Sequence, residues 1–466
     1  MSRDGQQPRI QRVQPARRVA FDVISAVRES DAYANLLLPV KLERAGLYGA
    51  DAGLATELTY GTLRKQGYYD AVIAIAAGRP TEHIDPAVLD VLRLACHQLL
   101  SMRVAPHAAV DEAVSQAREV ASRSATGFVN GVLRTITRTA PDQWLSRVLS
   151  DPRSEDERLS LEHSHPVWIV RAFRQALAAE GRADELEALL EADNRAPKVS
   201  LAALPGLATV KEVAGDRKAR FSPVAAVSDG GDPANTPAVR EGRVRVQDEG
   251  SQLAALALSR ARPIVAGERW LDLCAGPGGK AALLAADALA AGATLVANEV
   301  VPARAQLVRN ALAIFTDPPQ VLVQDGTGIG EALPEQFDRI LIDAPCTGLG
   351  ALRRRPEARW RKQPRDVPEL ASLQTELLHS GLSALKPGGL LAYVTCSPHL
   401  GETRLVVDNA VRKASGAVVQ LNTAEILQQI AVAPLDLGTS DTSVQLWPHR
   451  HGTDAMFISL LQKQPV

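Results

Sequence analysis

The first third of the chain repeats apolar residues at the spacing of a helix. Segments such as ARRVAFDVISAVRES (16–30) and PAVLDVLRLACHQLLSMR (86–103) place apolar side chains three and four residues apart, so that they share one helical face. Turn signals, for example at residues 78–80, separate these segments. The pattern predicts an all-helical domain over residues 16–148, preceded by a polar, flexible tail at residues 1–15.

The pattern changes after residue 148. A charged stretch leads to further helical periodicity, and then to the short strand-like runs VSLAAL, FSPVAAV and VRVQ. A loop rich in Gly, Pro and Asp separates the last two runs. We therefore expect a small mixed α/β connecting domain over residues 149–240.

The C-terminal part, residues 241–466, alternates apolar strand-like runs with helical segments. The strand candidates are RWLDLCA (269–275), TLVANEV (294–300), QVLVQD (320–325), DRILIDAP (338–345), LLAYVTCS (390–397) and MFISLL (456–461). Nearly continuous apolar strands that alternate with helices are typical of a parallel sheet covered on both faces. The whole chain is thus predicted to be multidomain, with an α/β C-terminal domain.

Composition removes several classes of protein. Apolar residues make up 46% of the chain and the formal net charge is -1, which excludes wholesale disorder and a uniformly basic nucleic-acid coat. The four cysteines include no CxxC pair, so neither a disulfide scaffold nor a cysteine-rich metal site is expected. We find no signal peptide and no apolar run long enough for a membrane span. A cytoplasmic protein without membrane contact is predicted.

A glycine-rich loop, LDLCAGPGGK, leads from an apolar strand into a helix. Such a loop lets the backbone approach a ligand closely at a helix N-terminus. A phosphate-binding P-loop fails at Cys274 and Ala281, where glycine and a hydroxyl residue are needed. A dinucleotide fingerprint fits Gly276, Gly278 and Ala281 but is a weak signal alone. S-adenosylmethionine is the third cofactor class that could use this loop.

Acidic residues end three successive predicted strands. Glu299, Asp325 and Asp343 fall at the carboxyl ends of the second, third and fourth strands, where open α/β sheets bind their ligands. A carboxylate at Glu299 can accept hydrogen bonds from ribose hydroxyls. A nicotinamide dinucleotide would explain Glu299 but would give Asp343 no role.

Two cysteines are predicted at the same edge of the sheet. Cys346 follows the fourth strand in DAPCTGLG, and Cys396 ends the fifth in VTCSP. A thiolate that adds to carbon 6 of a cytosine makes carbon 5 able to attack a sulfonium methyl group, which carbon 5 cannot otherwise do. Asp343 could hydrogen-bond and polarise the base, and a second thiol could assist release. In contrast, Cys96 and Cys274 are interpreted as packing residues.

These motifs resemble the RNA cytosine-C5 methyltransferases that use S-adenosylmethionine, as do QDEGSQLAA (247–255) and LWPHRHGTDAMFISLL (446–461). The resemblance implies a class I methyltransferase domain over 241–466, with a Rossmann-like sheet of seven strands, the last antiparallel. It implies Cys396 as the nucleophile and Cys346 as the residue that assists product release. It also implies that these residues bind the cofactor: Cys274, Ala275, Gly276, Pro277, Gly278, Gly279, Lys280, Glu299, Asp325 and Asp343. Family members commonly carry Ala where this chain has Gly276, a change that we expect not to disturb the loop.

The helical domain resembles the NusB-like RNA-binding domains, in ELTYGTLR (57–64) and GFVNGVLR (127–134). A NusB-like domain ahead of this methyltransferase is the arrangement of the Sun/Fmu-type enzymes, which modify 16S ribosomal RNA in bacteria. The resemblance thus implies a ribosomal RNA substrate. We expect a monomer.

An arginine-rich segment, RRRPEARWRKQPR (353–365), holds seven basic residues and one acid. Because it begins seven residues after Cys346, we predict that Arg353, Arg354 and Arg355 contact RNA phosphates and that Trp360 stacks on a base. Neutralising the three arginines should flatten the salt dependence of RNA binding.

Three rivals remain open on sequence grounds. One is the same chemistry on transfer RNA, and another is a noncatalytic RNA-binding or transcription factor. The third is an NAD-dependent oxidoreductase, which leaves both cysteines and the arginine segment without a role.

Overall fold

The computed structural model describes residues 13–30, 32–214, 219–228 and 230–465. The chain divides into two compact units. A helical unit contains Met1–Val170 together with Arg354–Trp360, and a second unit contains Arg171–Arg353 and Arg361–Val466. Most of the predicted tail, residues 1–12, lies outside the described residues. No helix in the described ranges is long and apolar enough to cross a membrane.

The helical unit follows the predicted periodicity. Its helices are α1 (Pro15–Glu29), α2 (Ala34–Arg44), α3 (Gly49–Arg64), α4 (Gln66–Ala77), α5 (Pro86–Leu100), α6 (Pro106–Val120), α7 (Arg123–Thr137), α8 (Pro141–Val148) and α9 (Glu155–His163). Four of them start on proline, whose missing N–H costs nothing at the first helical position. Their apolar faces form one core that includes Cys96, Tyr69 and Trp144. The all-helical prediction is confirmed.

The second unit opens with a small sheet. Its elements are α10 (Val167–Ala178, which crosses the boundary between the units), α11 (Leu186–Asp193), β1 (Ser200–Ala203), α12 (Val210–Ala214), β2 (Ala225–Val227), α13 (Pro237–Arg240) and β3 (Val244–Val246). The three strands are antiparallel in the order β2-β1-β3. The region 149–240 does not form a unit of its own, because residues 149–170 belong to the helical unit and residues 171–240 to the second unit.

The remainder of the second unit alternates strands and helices. Its elements are α14 (Glu249–Ser259), β4 (Arg269–Asp272), α15 (Gly279–Ala290), β5 (Thr294–Asn298), α16 (Pro302–Leu312), β6 (Gln320–Leu322), α17 (Ile329–Ala332), β7 (Phe337–Asp343), α18 (Ala358–Arg361), α19 (Asp366–Ala384), β8 (Leu385–Thr395), α20 (Arg404–Lys413), β9 (Val418–Gln420), α21 (Thr423–Ile430), β10 (Ser443–Gln445), α22 (Pro448–His451) and β11 (Phe457–Lys463). Of these elements, α18 alone is divided between the units, because its residues up to Trp360 belong to the helical unit.

The large sheet has the order β10-β11-β8-β7-β4-β5-β6. Strands β4 to β8 are parallel, and β11 is antiparallel to β8. Within the described residues the sheet has eight strands, not the seven expected, because β9 and β10 each pair with a different half of β11. Separate apolar clusters include residues of β4, β7 and β8 on the two faces of the sheet, as predicted for a sheet covered on both sides.

Candidate active site

The carboxyl ends of β4, β5, β6, β7 and β8 meet at one edge of the sheet, because these strands are parallel. The glycine loop follows β4, while Glu299 and Asp325 follow β5 and β6. Asp343 ends β7 and Cys396 follows β8 directly. The residues that the sequence predicted for the site therefore lie at the same edge.

The glycine loop is shaped by its contact with α16. Gly278 precedes α15 with φ of 107°, a value that residues with a Cβ rarely adopt. A Cβ at Gly278 would come within 2.6 Å of the Ala311 Cβ and 3.1 Å of the Val308 Cα. Glycine thus allows the turn and lets α15 start beside α16.

Glu299 is buried and folds back on the glycine loop. Its Oε2 accepts a hydrogen bond from the Gly276 N–H at 3.1 Å, and its Oε1 accepts from the Val301 N–H at 3.0 Å. Arg304 forms an ion pair with Glu299 at 3.3 Å and donates to the Gly276 carbonyl at 2.9 Å. A Cβ at Gly276 would overlap the Glu299 carboxylate. An alanine at this position would require the end of the Glu299 side chain to move, whereas the expectation that glycine leaves the loop undisturbed stays a prediction.

Asp325 is exposed and fixed locally. Its side chain accepts hydrogen bonds from the N–H and hydroxyl of Thr327, at 2.9 and 2.8 Å. These bonds lower the pKa of Asp325, so it is ionised at neutral pH. The buried Asn298 links the same strand ends, donating to the Leu273 and Gln324 carbonyls at 3.1 Å. Sequence reasoning missed Asn298 because an amide that ends a strand carries no motif.

Lys280 and Asp343 form an ion pair between the glycine loop and β7, with 2.7 Å between Nζ and Oδ2. Burial lowers the pKa of Lys280, but the charge and hydrogen bond of Asp343 outweigh it and raise that pKa. Negative charge on Cys396 acts in the same direction. Lys280 therefore stays positively charged beside the cysteine pair.

Asp272, at the end of β4, is a site residue that sequence reasoning did not single out. It is fully buried, and neither carboxylate oxygen has a hydrogen-bond partner among the described residues. Burial and the nearby charge of Asp343 raise the pKa of Asp272 to about 8, against the opposing effect of Lys280. An unpartnered buried carboxyl is costly, and the positively charged groups of S-adenosylmethionine would complete it. The residues of this edge fit that cofactor.

Cys346 and Cys396 are neighbours, with 3.4 Å between their sulfur atoms. Both side chains are partly accessible, whereas Cys96 is fully buried. The hydrogen bond with Cys396, then burial, raises the pKa of Cys346 well above the usual range. For Cys274, burial raises the pKa well above its usual range, in keeping with a packing role.

The structure separates the arginines predicted to bind RNA. Arg353 is buried and its guanidinium pairs with Asp454 at 2.7 Å and Asp248 at 3.0 Å. It holds three segments of the second unit together, so the prediction that it contacts phosphates is wrong. The signal that could have corrected it is the pair of aspartates in the flanking motifs.

The next residues, Arg354–Trp360, belong to the helical unit. Arg359 is fully buried and donates to the carbonyls of Arg64 at 2.8 Å and Ser164 at 3.1 Å. Arg355 is exposed, with its guanidinium 5.4 Å from the centre of the Tyr33 ring. Trp360 is 37% exposed. RNA contact by Arg354, Arg355 and Trp360 therefore stays a prediction.

Comparisons with known proteins agree with this geometry. A family model described as 16S rRNA methyltransferase RsmB/F matches residues 262–462, and the NusB family model matches residues 14–138. A putative methyltransferase from Mycobacterium tuberculosis is 48% identical over 98% of each chain. The probable ribosomal RNA small subunit methyltransferase B of Bacillus subtilis is 30% identical, covering 96% of this chain and 98% of that protein.

The crystal structure of PH0851 matches 97% of this chain and 100% of its own with a TM-score of 0.78 and 25% identity. The likeness therefore extends through both units and is not confined to the methyltransferase sheet. This chain belongs to the RsmB/F family of S-adenosylmethionine-dependent RNA methyltransferases and carries a NusB-family helical domain.

Proposed function

We propose that the enzyme methylates carbon 5 of a cytosine in 16S ribosomal RNA through a covalent bond between Cys396 and carbon 6. The observation that carries this proposal is the Cys346–Cys396 pair, 3.4 Å apart at the cofactor edge of the sheet. A methyltransferase acting on an exocyclic nitrogen or a hydroxyl would have no use for two adjacent thiols.

The thiol pair divides the work of addition and release. In this proposal Cys396 supplies the thiolate, as the family resemblance implies, with the Lys280 charge nearby. The raised pKa of Cys346 favours its thiol form. The thiolate adds to carbon 6, and the electron pair of the 5,6 double bond becomes nucleophilic at carbon 5. When bound, S-adenosylmethionine supplies the electrophilic methyl group. Asp343 orients the base by hydrogen bonding.

Release requires a proton to leave carbon 5. Once Cys396 is bonded to the ring, it no longer carries the charge that raises the pKa of Cys346, so Cys346 can lose its proton to solvent. The Cys346 thiolate then takes the proton from carbon 5. The electrons of that C–H bond re-form the double bond, the bond between sulfur and carbon 6 breaks, and Cys396 leaves as a thiolate.

The choice of substrate is supported by the names of the relatives. The Bacillus subtilis protein is described as acting on small-subunit ribosomal RNA. In any RNA substrate the target base has to leave its stack to reach Cys396. With this substrate we propose that the enzyme acts in the cytoplasm. Transfer RNA remains the alternative substrate within the same chemistry, and we propose a monomer as the active form.

Two cysteine variants test the chemistry. Cys396→Ser should lose methylation of 16S RNA by at least about 1,000-fold, because a hydroxyl is far less nucleophilic than a thiolate. Cys346→Ala should still add to the base and transfer the methyl group but release product slowly. It should therefore accumulate a protein–RNA adduct that survives denaturing electrophoresis.

Cys96→Ala is the matched control, because Cys96 lies in the helical core and should leave methylation intact. Bisulfite sequencing of the product identifies the modified cytosine. An adduct in the Cys396 variant but not in the Cys346 variant would reverse the two roles. Equal methylation by all three variants would contradict the covalent mechanism.

A further inference from the structure

Both cysteines are followed by a hydroxyl residue, and one carboxylate receives both hydroxyls. Thr347 follows Cys346, and Ser397 follows Cys396. The Glu402 carboxylate accepts the Ser397 hydroxyl at 2.6 Å and the Thr347 N–H at 2.7 Å, and it also accepts the Thr347 hydroxyl. The two loops that carry the thiols, one after β7 and one after β8, therefore converge on a single side chain.

We infer that Glu402 is a positioning residue that sets the distance between the two thiols. Through this distance it controls the rate of addition to the base relative to the rate of product release. The inference rests on the proposed function. It concerns a residue that touches neither the base nor the cofactor and acts through the neighbours of Cys346 and Cys396.

The burial and the partners of Glu402 support this role. It is fully buried, and among the described residues no lysine, arginine or histidine forms an ion pair with it. Its oxygens instead accept hydrogen bonds from the neutral groups of Thr347 and Ser397. Buried charged groups are usually paired with an opposite charge, whereas hydrogen bonds from two active-site loops hold those loops in a fixed geometry.

The carboxylate is itself held in place. Gln374 donates to the Pro345 carbonyl at 2.8 Å and reaches Glu402 Oε1 at 3.4 Å. The Tyr393 hydroxyl donates to the backbone carbonyl of Glu402 at 2.8 Å. Side chains from α19 and β8 thus fix Glu402, and Glu402 fixes the loops. Misplacement of a reacting group by about 1 Å can cost on the order of 100-fold in rate.

Glu402→Gln tests the inference, because it keeps the shape but replaces one acceptor oxygen with a donor amide. We expect single-turnover methylation to fall at least tenfold, with the Kd for S-adenosylmethionine unchanged within about twofold. Glu331→Gln, on an exposed position of α17, is the matched control. Ser397→Ala removes a single donor and should give a smaller loss, which keeps the test valid if Glu402→Gln does not fold.

A second readout measures the thiol pair without RNA. Phenylarsine oxide forms two arsenic–sulfur bonds with a close pair of thiols and releases water, so it binds a correctly spaced pair far more tightly than a single thiol. The wild type should bind it through Cys346 and Cys396, as mapped by mass spectrometry. Glu402→Gln should bind it at least tenfold more weakly, approaching the value for Cys346→Ala.

Each result decides the question. Loss of both methylation and arsenical affinity in Glu402→Gln supports the positioning role. Wild-type behaviour in either assay overturns it, because a displaced pair must show in both. If Cys346→Ala accumulates no RNA adduct through Cys396, the proposed function fails, while arsenical binding still reports whether Glu402 sets the spacing of the thiols.

Discussion

At the scale of single residues, Asp272 shows what a buried carboxyl costs a protein without its ligand. The pKa of this residue is raised to about 8 from an ordinary value of 3.8. Between those two values the folded state therefore holds a proton that the unfolded state has lost. Stability must fall as pH rises through this window, because the unfolded state binds fewer protons.

Asp272→Asn should remove this loss of stability with rising pH. In the cofactor-free protein, the free energy of unfolding of the variant relative to the wild type should increase by at least about 2 kcal/mol between pH 5 and pH 8. Urea unfolding at the two pH values measures it. Asp317→Asn, at an exposed position, should show no such change. A constant difference for Asp272→Asn would contradict the raised pKa.

At the scale of elements, the contact between α15 and α16 depends on a glycine. Gly278→Ala would combine a strained backbone with overlap of the new Cβ with Ala311 and the Val308 backbone. We expect a destabilisation of at least about 2 kcal/mol and loss of cofactor binding, measured by thermal unfolding and calorimetric titration.

Gly279→Ala is the matched control for this glycine. It has no positive φ, and the nearest neighbour of its Cβ would be Gln247 at 3.7 Å. It should remain within about 0.5 kcal/mol of the wild type. If Gly278→Ala is as stable as Gly279→Ala, the prediction is wrong, and α16 moves at little cost to accommodate the new Cβ.

The sequence predicted the helices and strands better than it predicted which strands and which residues pair with one another. Periodicity located the helices and the parallel strands because burial imposes a regular spacing on apolar residues. Two features escaped it. Strands β9 and β10 are each defined by their pairing with β11, and the sequence of neither segment reveals that pairing. Arg353 carries the same charge as its neighbours, and only the distant Asp248 and Asp454 make it a buried structural residue.

At the scale of the whole molecule, the chain leaves the second unit after Arg353 and returns to it at Arg361. The intervening residues supply the helical unit with a buried arginine. Arg359→Ala would deprive the Arg64 and Ser164 carbonyls of these donors, at a cost of about 2–3 kcal/mol. Amide hydrogen exchange at the end of α3 should accelerate at least tenfold.

Arg365→Ala is the control, since Arg365 is exposed at the start of α19. Its exchange rates in α3 should equal those of the wild type. Unchanged exchange in the Arg359 variant would mean that the segment contributes little to the stability of the helical unit.

The outermost strands of the large sheet, β6 on one side and β9 and β10 on the other, are each three residues long. An open sheet exposes unpaired backbone groups at its borders, and those groups can recruit a strand from another molecule. Border strands of only three residues offer too few unpaired backbone groups to template the addition of strands from other molecules. We therefore expect the large sheet to resist ordered aggregation even when the enzyme is concentrated.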